Sequence, residues 1–104
     1  MVEKIGADET VSGKKEPITF NIKGNFPNPF NASTIIEYTI ADRSLVELAV
    51  YSIAGQKIAV LENRMLDTGK YSMVWNAGNL ASGTYFARLV TNKGIATHKM
   101  LYFK

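Results

Sequence analysis

Hydrophobic and polar residues alternate in seven short stretches of this chain, which are separated by clusters of glycine, asparagine, aspartate and serine. Alternation with a period of two is typical of a strand with one face in a core and the other in water. No stretch has the apolar spacing of an amphipathic helix. We therefore predict an all-β fold, an antiparallel sandwich of seven short strands. The predicted strands are residues 18–22, 33–40, 46–53, 57–61, 71–75, 84–91 and 95–104.

A proline-containing segment, residues 25–31 with the sequence Asn-Phe-Pro-Asn-Pro-Phe-Asn, separates the first two predicted strands. Proline fixes φ and pushes the preceding residue out of the helical region, so we expect this segment to be extended. Pro27 and Pro29 have no N–H to donate to a sheet ladder. Phe26 and Phe30 are expected to pin the segment to the core. It is therefore interpreted as a rigid connector into the sheets.

The same alternation predicts which side chains fill the core. Tyr85 begins a strand directly after a loop, a position from which a tyrosine hydroxyl in sandwich proteins folds back to bond the preceding loop. In the strand 57–61, Ile58 and Val60 are expected to face inward. The predicted core contains Ile36, Tyr38, Leu48, Val50, Ile58, Tyr71, Trp75, Tyr85 and Leu89. The residues predicted to shape turns and strand ends are Pro27, Asn28, Pro29, Gly55, Gly69, Tyr71, Trp75, Gly83 and Tyr85.

Three strands carry apolar residues at positions that the alternation turns outward. On the third, sixth and seventh strands these side chains would give one sheet an apolar outer face, which is typical of a docking surface. A register shift of one residue would instead turn them inward, and scattered apolar surface residues are also common. The last strand is a second candidate, since an edge strand recruits partners by strand addition. The predicted docking residues are Tyr51, Ile53, Phe86, Val90, Lys99, Leu101, Phe103 and Lys104.

The composition argues against several classes of function. The formal net charge of +3 comes from scattered lysines and arginines, not from a basic patch, so we expect no nucleic-acid binding. The chain has no cysteine, and hence neither a disulfide nor a cysteine metal site. No apolar run approaches the ~20 residues of a membrane-spanning helix. Residues 1–16 are polar and without periodicity and are interpreted as a linker remnant or disordered tail, which leaves residues 17–104 as the domain.

The sequence offers no catalytic centre. His98 is the only histidine, and we expect it to face solvent on the last strand without a nucleophile beside it. The carboxylates of Asp42, Glu47, Glu62 and Asp67 lie in separate turns and strands and lack the spacing of a calcium loop. We therefore predict no enzyme, no metal and no cofactor, and favour a function in binding.

Five short motifs occur in order along residues 25–104. Together they resemble the type A C-terminal sorting domain of the type IX (Por) secretion system. They are also similar to the related flagellar hook-capping immunoglobulin-like domain. The motifs are NFPNPFN at residues 25–31, VYSIAGQK at 50–57, GKY at 69–71 with Trp75, LASGTY at 80–85 and KML at 99–101.

The resemblance implies an immunoglobulin/fibronectin III-like sandwich at the C-terminus of a larger secreted or cell-surface protein. Its implied partners are the outer-membrane secretion machinery, reached through the periplasm, and a peptidase that removes the domain after export. The preceding domain of the parent chain is a further partner, and the domain itself is expected to be a monomer. The short β-rich tail of the family corresponds here to residues 100–103, between Lys99 and Lys104.

Three functions stay open at this point. We favour a non-catalytic targeting module that directs its parent through the type IX system by docking to the translocon. The alternative is an immunoglobulin-like accessory domain that spaces or anchors a catalytic domain or binds glycan, although Trp75, the only tryptophan, is predicted to point inward. The third is a hook-cap segment inside a longer chain. The order of domains in the parent protein distinguishes the three.

Overall fold

The chain folds into two antiparallel β-sheets. The computed structural model describes residues 19–104, and these residues contain strands and connections but no helix. The all-β prediction is therefore confirmed, with seven strands in the predicted order. The predicted tail, residues 1–16, lies outside the described residues. The strands are β1 (Asn21–Phe26), β2 (Ser33–Ile40), β3 (Ser44–Ser52), β4 (Lys57–Leu66), β5 (Gly69–Asn76), β6 (Gly83–Thr91) and β7 (Gly94–Tyr102).

The strands divide into a three-stranded sheet with the order β1-β2-β5 and a four-stranded sheet with the order β4-β3-β6-β7. Every ladder in both sheets is antiparallel. The chain crosses between the sheets after β2, after β4 and after β5. The third, sixth and seventh strands are therefore neighbours in one sheet, as the sequence predicts.

The core lies between the inward faces of the two sheets, because each strand buries alternate residues. Seven of the nine predicted core residues are buried: Ile36, Tyr38, Leu48, Val50, Trp75, Tyr85 and Leu89. The other two, Ile58 and Tyr71, are half-buried and pack against this cluster. Aromatic rings fill one end of the core. The ring of Phe30 lies between Trp75 at 5.6 Å and Tyr102 at 5.1 Å, measured between ring centroids.

Two tyrosine hydroxyls hold the loop between β5 and β6. The Tyr85 hydroxyl donates to the carbonyl oxygen of Ala81 at 2.6 Å, which is the predicted fold-back onto the preceding loop. The Tyr102 hydroxyl donates to the carbonyl oxygen of Gly78 at 2.8 Å. The loop is thus anchored to both β6 and β7. Since buried hydroxyls are costly without a partner, the two bonds also satisfy the polar ends of core side chains.

The first strand is displaced from its predicted position. The predicted strand, residues 18–22, begins outside the described residues, whereas β1 runs from Asn21 to Phe26. A register shift between Ile22 and Gly24 bends the strand, after which Asn25 points inward and is buried. The prediction ended too early because the polar residues after Ile22 are poor strand formers by propensity.

The predicted inward orientation of Val60 is wrong. Tyr51 pairs with Lys57 while Val50 pairs with Ala59, so Ile58 is an extra residue in β4. An extra residue of this kind, a β-bulge, moves the following residues to the opposite face. Leu61 consequently packs against the core, and Val60 is exposed.

Candidate functional site

The outer face of the four-stranded sheet carries a row of large side chains. Tyr51 on β3 lies opposite Phe86 on β6, and Phe86 lies opposite Lys99 on β7. The neighbours of Phe86 in sequence, Tyr85 and Ala87, are buried in the core, so the row points away from it. Adjacent side chains in such a row contact one another across the strands. The row is continuous from β3 to the edge strand β7.

The structure places the other predicted docking residues around this row. Leu101 lies opposite Thr84, one step from the row towards the end of β7. Val90 lies opposite Ile95 at the far end of the same face. Ile53 extends the face into the β3–β4 hairpin and is 75% exposed. Phe103 and Lys104 follow the end of β7 and are exposed. We call these eight predicted residues the docking face.

The β3–β4 hairpin that carries Ile53 depends on Gly55. The N–H of Ser52 donates to the carbonyl oxygen of Gln56 at 2.8 Å, and the N–H of Gly55 donates to that of Ser52 at 2.9 Å. Gly55 has a φ of +89°, a region that side chains disfavour. The glycine thereby permits the tight turn that sets Ile53 beside the aromatic row.

A cavity of about 240 Å³ opens on the docking face. The guanidinium carbon of Arg88 lies 5.1 Å from the centroid of the Tyr51 ring, and the Lys57 ammonium lies 5.9 Å from it. Lys57 also donates to the carboxylate of Glu47 at 2.9 Å, and this hydrogen bond raises the pKa of Lys57. Two cations therefore converge on one aromatic ring. The cavity is lined by Tyr51, Ser52, Ile53, Gly55, Phe86, Arg88 and Thr97.

The proline segment holds the end of β7. The N–H of Phe30 donates to the carbonyl oxygen of Leu101, and the N–H of Phe103 donates to that of Phe30, both at 2.9 Å. Two asparagine side chains add to this contact. The Asn28 carbonyl oxygen accepts from the N–H of Leu101 at 3.1 Å, and the Asn31 amide donates to the carbonyl oxygen of Phe103 at 2.9 Å. We call this set of four bonds the chain-end clamp.

The chain-end clamp divides the edge of β7 into two parts. Among the strands of residues 19–104, β7 pairs with β6 alone. On the other side the clamp occupies the backbone groups of Leu101 and Phe103, so the predicted strand addition is blocked there. Backbone groups alternate between the two sides of a strand, so those of Lys99, Thr97 and Ile95 point to the same side as those of Leu101. No strand of the described part of the chain pairs with this side of β7 between Ile95 and Lys99, and we call this stretch the open edge of β7.

The proline segment bends, although the sequence predicts that it is extended. The side-chain amide of Asn25 and the hydroxyl of Thr34 both donate to the carbonyl oxygen of Pro27, at 3.2 and 2.9 Å, which closes the bend against β2. The peptide bonds before Pro27 and Pro29 are cis. Phe30 is 2% exposed and Phe26 is 54% exposed. The prediction that both phenylalanines pin the segment to the core is thus right for Phe30 and wrong for Phe26.

His98 faces the interior, although the sequence predicts a solvent-facing side chain. Its ring is half-buried, and its Nε2 lies 2.9 Å from the carbonyl oxygen of the Asn25 side chain. The Asn25 amide nitrogen already donates to Pro27 and to the hydroxyl of Thr34, so the histidine must donate in this contact. The bond joins β7 to β1 across the two sheets. Among residues 19–104 no group of histidine and carboxylate side chains is arranged to hold a metal ion.

The outer face of the three-stranded sheet carries a second apolar row that the sequence reasoning did not single out. Phe26 lies opposite Ile35, and Ile35 lies opposite Val74. All three side chains are exposed. The signal was present, since Ile35 precedes inward Ile36 and Val74 precedes inward Trp75. Alternation therefore predicts that both point outward.

A second cavity, of about 320 Å³, lies at the other end of the three-stranded sheet. It is lined by Lys23, Glu37, Tyr38, Lys70, Tyr71 and Ser72. The rings of Tyr38 and Tyr71 are stacked with centroids 5.7 Å apart. Burial, together with the negative charge of Glu62, raises the pKa of Tyr38 to about 12. The described residues form no helix long and apolar enough to cross a membrane.

Comparison with known proteins identifies one family. The family model described as "Secretion system C-terminal sorting domain" matches residues 25–102. The match begins at Asn25, just before the proline segment bends, and ends at Tyr102, the last residue of β7. Neither the curated proteins nor the solved structures gave a match.

Proposed function

This chain belongs to the secretion system C-terminal sorting domain family, and on that premise we propose that it directs its parent protein through the type IX system by docking to the outer-membrane translocon. A sorting domain of this system implies a secreted or cell-surface parent protein. The role we propose needs recognition and no catalysis. It therefore rests on a surface and not on a reactive group.

The observation that carries the proposal is the docking face. Tyr51, Phe86 and Lys99 form a continuous row, and Leu101 extends the row along the edge strand. Apolar and aromatic side chains with a cationic neighbour are enriched where proteins bind proteins. The open edge of β7 lies beside this row and offers backbone donors and acceptors to an added strand. A side-chain surface and a backbone edge therefore meet at β7.

The strand arrangement supports the immunoglobulin/fibronectin III-like part of the proposal. A sandwich of this class places its third, sixth and seventh strands in one sheet and its first, second and fifth strands in the other. The two sheets found here have these members, with β4 added at the edge beside β3. The Tyr85 hydroxyl bond to Ala81 also fits the tyrosine corner of such sandwiches.

The remaining parts of the proposal concern the route and the partners. We propose that the domain passes through the periplasm as a monomer, attached to a preceding domain of the parent chain. After export a C-terminal-signal peptidase removes it. These steps are supported by family membership, and the chain-end clamp adds that residues 101–103 are held against the body of the domain. A peptidase would therefore cut before β1 more readily than within β7.

The test fuses the full 104-residue chain, which includes all of β1, to a reporter enzyme in a bacterium that has the type IX system and measures the reporter in the medium. The variant Lys99→Glu with Phe103→Ser changes the docking face at two exposed positions. Surface changes of this kind alter stability by within about 0.5 kcal/mol, so the domain should still fold. Export should fall to the level of the reporter alone.

A matched control makes the same two types of change on the other sheet. Lys70→Glu with Val74→Ser also alters exposed positions and also changes the charge by the same amount. This control should be exported normally. Normal export of the docking-face variant would refute the assignment of the face. Loss of export in the control alone would move the docking site to the row of Phe26, Ile35 and Val74. If the unmodified fusion stays in the cell, the accessory-domain function replaces the sorting function.

A further inference from the structure

Arg88 lies in the wall of the cavity on the docking face and forms no ion pair with any other of residues 19–104. Its Nε atom is buried and has no hydrogen-bond partner. The ion pairs formed within residues 19–104 involve Arg43, Lys57, Arg64 and Lys93, and none of them involves Arg88. A buried donor without a partner is rare in folded proteins and points to a missing acceptor.

The position of the guanidinium is fixed by its surroundings. It lies over the Tyr51 ring, and on the ladder Arg88 lies between Ala49 on β3 and Thr97 on β7. Glu47, two residues along β3 from Ala49, is engaged by Lys57 at 2.9 Å. No neighbouring carboxylate on this part of β3 therefore remains for Arg88. The ring of Tyr51 thus holds the cation in place in the cavity wall.

We propose that this cavity binds a carboxylate that carries an adjoining apolar group. The planar guanidinium presents parallel N–H donors, a geometry that matches the two oxygens of a carboxylate. The walls beside it, Phe86 and Ile53, are apolar and fit the group attached to the carboxylate. The volume of about 240 Å³ holds a small group, such as one side chain or one ring, and no large cofactor.

Two sources supply this chemistry. One is a glutamate or aspartate side chain of a peptide, whose methylene groups adjoin the carboxylate, and the other is a sugar acid, whose ring has apolar C–H faces. The cavity shares Tyr51, Ile53 and Phe86 with the docking face. Binding of its ligand, however, can be tested without the secretion machinery. Binding is measured with the purified 104-residue chain, so a negative result here leaves the proposed function standing, and a failure of export leaves this inference standing.

The test follows backbone amide signals by NMR during titration with benzoate, and with benzamide as the neutral probe of the same shape. Benzoate should shift the amides of residues 51–55 together with those of Phe86 and Thr97. Benzamide should bind roughly tenfold or more weakly, because it lacks the charge that strengthens hydrogen bonds to arginine. An acetylated glutamate peptide and glucuronate then distinguish the two sources, and tighter binding of either one assigns the source.

Three variants complete the test. Arg88→Met keeps the length of the side chain and should weaken benzoate binding by about tenfold to a hundredfold. Ile53→Asp changes an exposed residue, leaves the core intact and should also weaken binding by repelling the anion. Arg43→Met removes an arginine from the turn before β3, at the opposite end of that strand, and should bind benzoate as the unmodified protein does.

Equal binding of benzoate and benzamide, no shift at the cavity, or unchanged binding by both Arg88→Met and Ile53→Asp would overturn the proposal.

Discussion

Phe30 is the residue through which the proline segment should contribute most to stability. Its side chain is 2% exposed and its ring lies 5.1 Å from Tyr102 and 5.6 Å from Trp75. Replacing it with alanine leaves a cavity among aromatic rings that cannot collapse easily, so Phe30→Ala should lower the free energy of unfolding by about 3–5 kcal/mol. Domains of this size have a total stability of roughly 4–13 kcal/mol, so the loss is a large part of the whole.

The measurement is urea denaturation followed by the fluorescence of Trp75, the only tryptophan and a direct neighbour of Phe30. The midpoint should fall while the slope with urea is preserved, since the surface exposed on unfolding barely changes. Phe26→Ala is the matched control on the other side of the two prolines. Its side chain is half exposed and should cost less than about 1 kcal/mol. Equal losses in the two variants, or a Phe30→Ala midpoint close to that of the unmodified protein, would refute this account of the segment.

Two further predictions concern the chain-end clamp and the stacked tyrosines. Asn28→Ala should speed hydrogen exchange of the Leu101 amide by roughly twofold to tenfold, the effect of one exposed hydrogen bond, while the Phe103 amide, which donates to Phe30, should stay protected. An unchanged Leu101 amide would contradict the bond. Because the pKa of Tyr38 rises from 10.0 to about 12 on folding, its stabilising contribution is complete below pH 10 and is lost as the pH rises from 10 to 12. Tyr38→Phe should therefore show a smaller loss of stability over that range by urea denaturation, and an identical pH profile would exclude this role.

Alternation was enough to predict most of the fold. Ile36, Tyr38 and Trp75 are buried because each strand of a sandwich packs one face against the core. This produces an alternation of apolar and polar residues that can be read from neighbouring positions in the sequence. The alternation gave wrong orientations where the register of a strand ladder shifts. The extra residue Ile58 turns Val60 outward, and no local signal marks a bulge in a stretch of aliphatic residues.

The candidate site, too, could be predicted only in part from the sequence. The outward positions of Tyr51 and Phe86 follow from the period of their strands, but their contact with Arg88 depends on which strands pair and in which register. The inward position of His98 follows from the outward position of its neighbour Lys99, and the prediction did not apply the alternation there. Its hydrogen bond to Asn25, 73 residues away in sequence, could not be predicted. Likewise, a sequence cannot tell buried Phe30 from exposed Phe26, since both precede or follow a proline and only the bend separates them.

The chain-end clamp also governs the order in which this domain can fold. Its side-chain hydrogen bonds join residues that are 72 and 73 positions apart in sequence. Forming contacts at such separations carries a large loss of chain entropy. During synthesis Phe30 leaves the ribosome early, while Trp75 and Tyr102, between which it packs, follow much later. A polypeptide interrupted before Tyr102 therefore keeps the phenylalanine in water and the two sheets unjoined at that end. Synthesis through Tyr102 is thus a condition for joining the two sheets at this end of the domain.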